Sequence, residues 1–183
     1  MITQTAKVQF FYDYECPYCK KGYEDLLEVL PSFSNIEIEW RPVEAHPRPE
    51  NQRPHTDLCI QAFYIAVELG ADMAAFHKAL FQAVSVEGRN VEESEVLAKV
   101  LKGIVDETKF LELLKSGKYD SKADENNDLA YEKNEVWFVP AFRLTGSDST
   151  NAPRLDAKGG IGVSGEEIKR FLENVKRTQE RAF

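Results

Sequence analysis

Val8-Gln9-Phe10-Phe11-Tyr12-Asp13-Tyr14-Glu15-Cys16-Pro17-Tyr18-Cys19 joins an apolar run to a pair of cysteines through a short polar turn. Val8 to Tyr12 is short, β-branched and aromatic, and nearly unbroken, which is the composition of a central strand covered on both faces. After Pro17 the period changes. Tyr23, Leu26, Leu27 and Leu30 recur at helical spacing, and Pro31 stops the pattern. Pro17 suits the first turn of that helix, where its missing N–H has no intrahelical partner to lose. Ile36, Ile38 and Trp40 then alternate with Glu37, Glu39 and Arg41, which predicts a second strand over 36–43. The chain therefore begins strand–helix–strand, with Cys16 at the first strand-to-helix junction.

Outward from this start, Pro42, Pro47, Pro49 and Pro54 crowd one short stretch and predict an irregular linker. A block from about 55 to 137 reads as all-helical. Leu58, Cys59, Ala62, Phe63, Ala66 and Leu69 form one apolar face ended by Gly70, and Met73, Phe76 and Leu80 follow behind a capping Asp72. Asn90 with Glu93, and then Asp106, open two further helices, and a more polar one runs from about Ser121 to Asn134. Val136 to Leu144 returns to strand composition, with the third strand expected over 141–145 and Pro140 at its start, a position strands tolerate. Gly146 to Gly159 reads as a polar loop and Gly160 to Val163 as a short final strand. Ser164 with Glu167 makes a capping box for a terminal helix over 164–181. The expected architecture is an α/β core built from 1–50 and 138–183, with 51–137 inserted as a helical domain.

Composition limits what such a chain can do. Its 183 residues carry 23 Lys and Arg against 31 Asp and Glu, a net charge of −8, which argues against tracking a phosphate backbone. Apolar types make up 43%, enough for a core that needs no disulfide or metal staple. Three cysteines do not make a disulfide scaffold. No apolar run approaches a membrane span. Met1 to Lys7 shows no basic flank leading into an apolar stretch, so no secretory leader is expected and the expected compartment is the cytoplasm.

The chemistry gathers at Cys16 and Cys19. A thiol attacks as its thiolate, and a helix N-terminus lowers a thiol's pKa by pointing N–H groups at the sulfur. Cys19 lies about one turn further along the same helix, so the two sulfurs can close a small disulfide ring. One thiol can then attack a partner's disulfide and the other can resolve the mixed disulfide. Two blander readings compete: ordinary core cysteines, and half of a zinc site completed by His55 and Cys59.

The strand followed by Cys16-Pro17-Tyr18-Cys19, the helical block after the second strand and Val139-Pro140 at the third core strand resemble the DsbA family of thioredoxin-fold oxidoreductases. The stretch Phe76 to Ala83, followed by Val86-Glu87-Gly88, is similar to the cytoplasmic FrnE-like branch. The resemblance implies a thioredoxin-like fold with an inserted all-helical domain and a mixed sheet, its last two strands antiparallel to its first two. It implies that Cys16 is the exposed nucleophile and Cys19 the buried resolving thiol. Pro140 would have a cis peptide bond beside them, and Pro17, Tyr18, Val139 and Pro140 would contact substrate, with Val139 offering backbone groups to a bound peptide. The implied activity is thiol–disulfide exchange with thiol- or disulfide-containing proteins and peptides or small thiols. No bound cofactor is required, and glutathione is a candidate co-substrate. Two alternatives remain: a glutathione-dependent isomerase or transferase of the 2-hydroxychromene-2-carboxylate isomerase or kappa-class type, and a non-enzymatic redox sensor or binding module.

The chain departs from that family pattern. Pro17-Tyr18 stands where strongly oxidising members carry Pro-His, and Pro-Tyr is also the glutaredoxin pair. The expected reduction potential is thus nearer about −200 to −230 mV than about −120 mV. Six residues before Cys16, Phe10 stands where many relatives have a buried acid, leaving Cys19 without an obvious proton acceptor. Phe138 stands where glycine is common and would narrow the groove. Asp13 and Glu15 read as solvated loop charges, and Lys20 and Lys21 as a solvated helix face. Cys59 is expected in the core and His77 as a structural histidine, with Trp40 and Trp137 as core or groove aromatics. His46 and His55 carry no signal.

Overall fold

The computed structural model describes residues 5–146 and 152–181. Strand β1 (Ala6–Tyr12) leads into helix α1 (Pro17–Val29), and β2 (Ile36–Pro42) follows. Five helices come next: α2 (Asp57–Glu68), α3 (Met73–Phe81), α4 (Ser94–Val100), α5 (Glu107–Lys115) and α6 (Lys122–Asp128). One π-helical turn prolongs α3 over Gln82–Val86 and another prolongs α6 over Leu129–Lys133. The chain then forms β3 (Ala141–Leu144), β4 (Arg154–Asp156) and α7 (Gly165–Glu180). This is a thioredoxin-like α/β fold with helices between its second and third strands.

The four strands lie in the order β2-β1-β3-β4. β1 runs parallel to β2, with Phe10 opposite Trp40, and antiparallel to β3, with Phe10 opposite Phe142. Phe10 stacks on Tyr12 and Phe142 at centroid distances of 4.9 and 4.7 Å. The apolar run thus holds the middle of the sheet, as its composition requires. On one face, Phe142 also meets Phe171 of α7, and Leu26, Ile168, Leu172 and Val175 are fully buried. Sheet residues and helix residues such as Ala62, Phe76, Leu80 and Leu97 belong to one continuous buried cluster.

The last strand differs from expectation in place and in direction. It forms at 154–156, inside the stretch read as a polar loop, whereas 160–163 is a tight turn. There Ile161 N and Gly162 N donate to Lys158 O, and both Gly160 and Gly162 have positive φ. An edge strand needs one bonded neighbour, not an apolar pattern. Arg154 and Asp156 can therefore face outward while Asp156 receives the buried Arg143 of β3 at 2.6 Å. β4 is antiparallel to β3, so it points the same way as β1 and β2. Only β3 opposes the first two strands, because the chain reverses again between β3 and β4. Residues 147–151 of the intervening loop, and Met1 to Gln4, lie outside the described residues.

Candidate active site

Cys16 is the N-cap of α1. Its backbone is extended, and its sulfur accepts from Cys19 N at 3.2 Å, while Pro17 occupies the first turn. Carbonyl Cys16 O also accepts from Cys19 N and Lys20 N. The cap position therefore sets the sulfur among N–H groups that have no helical partner. The structure holds both residues as free thiols, Cys16 half-buried and Cys19 fully buried.

The two sulfurs sit in opposite electrostatic settings. The Cys16 thiol is held below the usual cysteine range. The Cys19 thiol beside it, as a hydrogen-bond donor, is the main cause, followed by the N–H groups of Cys19 and Tyr18, and burial opposes them. Burial pushes the Cys19 thiol well up, and the neighbouring Cys16 adds to this. Cys19 Sγ accepts from Asp13 N at 3.4 Å. One accessible, acidified sulfur beside one enclosed, protonated sulfur is the asymmetry that nucleophile and resolving thiol need.

The third core strand completes the site from the other side. The Val139–Pro140 peptide is cis, and the Cys16 thiol faces Val139 O at 3.9 Å. Helix α1 comes close to the Pro140 ring because position 22 has no side chain. A Cβ on Gly22 would lie 3.1 Å from Pro140 Cγ. Gly162 has φ +76°, and a Cβ there would meet Tyr18 Cβ at 3.0 Å, so the turn after β4 can lie against the dipeptide between the cysteines.

Around Cys16 opens a cavity of about 340 Å³. Pro17, Tyr18, Trp137, Phe138 and Val139 line its apolar side, and Glu15, His46, Gln52, Tyr131 and Lys158 contribute polar groups. Trp137 is 82% exposed and Phe138 55%, a large amount of apolar surface to leave in water beside one thiol. Phe138 lines the cavity with its ring against Gly159.

Asp13 is not a solvated loop charge. It is 1% exposed, and its carboxylate accepts from Glu15 N at 3.1 Å, Ala45 N at 2.7 Å and Thr56 Oγ1 at 2.8 Å. These donors come from the redox turn, the linker after β2 and the start of α2, so one carboxylate ties three segments together. Burial raises Asp13 to about 6 despite the three bonds. Its charge in turn opposes thiolate formation at both Cys16 and Cys19. Nearby, Glu44 is also buried and raised. Its Oε2 accepts from Asn127 Nδ2 at 3.1 Å, and its Oε1 has no partner among the described residues.

The remaining candidates fall into place. Cys59 is buried, and among the described residues it forms no metal-holding group with His55 or the cysteine pair. Lys20 and Lys21 pair with Glu24 and Asp25 along α1. Trp40 packs against His77 and Tyr23, whereas Trp137 stands at the cavity rim. His77 is buried with Nδ1 3.0 Å from Tyr14 OH, but its Nε2 has no partner among the described residues. Among the described residues no helix is long and apolar enough to cross a membrane.

A mixed thioredoxin-type sheet, a cysteine pair capping α1 and a cis-proline strand facing it define a thioredoxin-fold protein with a dithiol site. A family model described as DSBA-like thioredoxin domain matches residues 7–158, and the chain belongs to that family. Uncharacterized protein YwbO of Bacillus subtilis is 23% identical, with 75% of this chain and 86% of that protein covered. The structure is similar to that of SCO1869 from Streptomyces coelicolor, described as a probable DsbA oxidoreductase. The TM-score is 0.75 at 14% identity, over 94% of this chain and 90% of that one. It is also similar to Pseudomonas aeruginosa DsbA, with a TM-score of 0.70 at 19% identity over 100% and 88% of the two chains.

Proposed function

We propose that the protein is a thiol–disulfide oxidoreductase acting through Cys16 and Cys19. The observation that carries this reading is the asymmetry of the pair: an acidified Cys16 open to a cavity, and a protonated Cys19 shut behind it. Cys16 thiolate attacks a substrate disulfide and forms a mixed disulfide, and one substrate sulfur leaves. Cys19 loses its proton and attacks Cys16 Sγ, which releases the second substrate thiol and closes the Cys16–Cys19 disulfide. Two electrons pass from the protein to the substrate, and the reverse sequence oxidises a dithiol. Polypeptide substrates fit the exposed Trp137, Phe138 and Ile161 and the backbone of Val139, which a strand-like peptide can join. Glutathione fits as a small thiol that exchanges with the pair, and no bound cofactor is needed.

The test is equilibration in graded glutathione buffers, acid quench, maleimide labelling and mass counting, in a Cys59→Ser background. A single two-electron transition is expected, with a midpoint near about −200 to −230 mV because Tyr18 adds no positive charge beside the thiolate. Failure to form a disulfide anywhere in the range would overturn the reading. Cys19→Ser should accumulate a mixed disulfide with substrate and lose turnover, whereas a glutathione-dependent isomerase would survive that change.

A further inference from the structure

His46 belongs to the linker after β2, thirty residues from Cys16 in sequence, yet both line one cavity. The linker is fastened to the redox turn on either side of it. Ala45 N donates to Asp13 Oδ2 at 2.7 Å, and Gln52 Nε2 donates to Glu15 Oε1 at 2.6 Å. Carbonyl His46 O lies 3.2 Å from Nδ1 of the buried His55, whose N–H is held by Glu92. A turn closed by Glu50 N and Pro47 O brings Glu50 back, and its carboxylate meets His46 Nδ1 at 2.9 Å. An ionised carboxylate only accepts, so Nδ1 carries a proton and Nε2 is the exchangeable ring position. Besides Cys16, the titratable groups that line the cavity with His46 are Glu15, Tyr18, Tyr131 and Lys158.

We infer that His46, oriented by Glu50, is the proton donor and acceptor for the substrate sulfur opposite Cys16. This inference rests on the disulfide-exchange reading. Cys16 thiolate attacks R–S–S–R′, the Cys16–S–R bond forms and the S–S bond breaks. The departing R′–S⁻ takes the Nε2 proton of protonated His46, giving R′SH and a neutral ring that is reprotonated by solvent. In the oxidising direction the neutral ring takes the proton of RSH and RS⁻ attacks Cys16 Sγ; the Cys16–S–R bond forms, the Cys16–Cys19 bond breaks, and Cys19 Sγ leaves as the thiolate and takes a proton from solvent. The dipeptide between the cysteines, Pro17-Tyr18, contains no imidazole, so this role falls to a residue brought in by the fold.

The test is a single-turnover comparison of two disulfides with the reduced protein. The leaving thiolate of 5,5′-dithiobis(2-nitrobenzoate) is stable without a proton, whereas that of bis(2-hydroxyethyl) disulfide is not. In His46→Gln the ratio of the alkyl to the aryl rate should fall on the order of 10²-fold, the usual scale of general acid catalysis. Glu50→Gln keeps the ring and replaces its charged acceptor with a neutral amide oxygen, so the ratio should fall less. A merely structural role would depress both rates together, so a ratio equal to the wild type in His46→Gln overturns the inference. Absence of exchange with either disulfide in the wild-type protein overturns the disulfide reading itself, and His46's role with it.

Discussion

Asp13 and His77 are both shut away from water where helices meet the sheet, yet they are held differently. Asp13 lies between β1 and α1 and is met by three donors. His77 lies on α3 in a box of aromatic rings, with Trp40 at 5.0 Å, Tyr23 at 5.2 Å and Tyr12 at 5.7 Å between centroids. Among the described residues only Tyr14 OH hydrogen-bonds it, and Tyr14 OH in turn lies 3.3 Å from Tyr12 OH. Burial moves the two groups in opposite directions, Asp13 up to about 6 and His77 down to about 3. In both cases the neutral form is favoured, because neither environment supplies a full opposing charge.

The consequences for stability have opposite sign. Asp13's folded pKa is raised, so its contribution is fully present below the unfolded value near 3.8 and is lost as pH rises through about 6. His77's folded pKa is depressed. Its contribution is fully present above the unfolded value near 6.5 and declines as pH falls towards about 3. Between about pH 4 and 6 the folded protein holds one extra proton at Asp13 and lacks one at His77, so the two slopes offset each other. The difference also separates roles. Asp13 stands against the redox turn and acts on the thiols, whereas His77 acts on the docking of α3.

Removing one member should uncover the other, and the largest effect is expected from Asp13→Asn. Relative to wild type, its unfolding free energy should fall by about 1.4 kcal/mol per pH unit between pH 6 and 4, or roughly 2–3 kcal/mol in all. Urea denaturation across pH measures this, and a difference that does not vary with pH would break the comparison. The same variant should move Cys16 to a lower pKa, seen in the pH dependence of its alkylation, and make the pair more oxidising, because a negative neighbour is gone.

His77→Phe comes next. It should cost about 1–3 kcal/mol at neutral pH, since Tyr14 OH loses a buried partner. The deficit against wild type should then shrink on acidification, because the variant no longer resists a proton there. A deficit that grows towards pH 4 would show that His77 is not the group disfavoured by acid. The smallest change is Thr56→Val, which removes one of Asp13's three donors. It should cost about 1 kcal/mol and raise Asp13's pKa further, read from its carboxyl carbon by NMR. A lowered Asp13 pKa would count against the assignment of Thr56 as donor.

Much of the core was legible before the structure. Val8 to Tyr12 announced a central strand, Pro17 and Tyr23 to Leu30 announced the helix that Cys16 caps, and the capping box at Ser164 marked α7. Each of these signals is local, since a period or a cap is set by residues within a turn or two. The fourth strand was not legible. Arg154–Asp156 is polar and short, and it becomes a strand only because β3 offers it bonds and Arg143 offers Asp156 a charge. Gly160 and Gly162, read as strand, supply positive φ to a turn instead.

The candidate site divides in the same way. Cys16, Pro17, Tyr18, Cys19 and the Val139-Pro140 pair stood out as motifs, because each depends on residues adjacent in the chain. Asp13 reads from the sequence as a solvated charge, since its burial depends on Ala45 and Thr56, which arrive from 32 and 43 positions away. His46 carried no signal, because nothing in a proline-rich linker tells which end of the sheet it will cover. The chain's local pattern thus decided its class, its helix-capping thiols and the order of its elements, through short-range periodicity and steric preference. Tertiary packing decided which charges are buried, which histidine lines the cavity around Cys16 and where the last strand lies. Those outcomes depend on desolvation and on hydrogen-bond partners that meet only when distant segments are brought together.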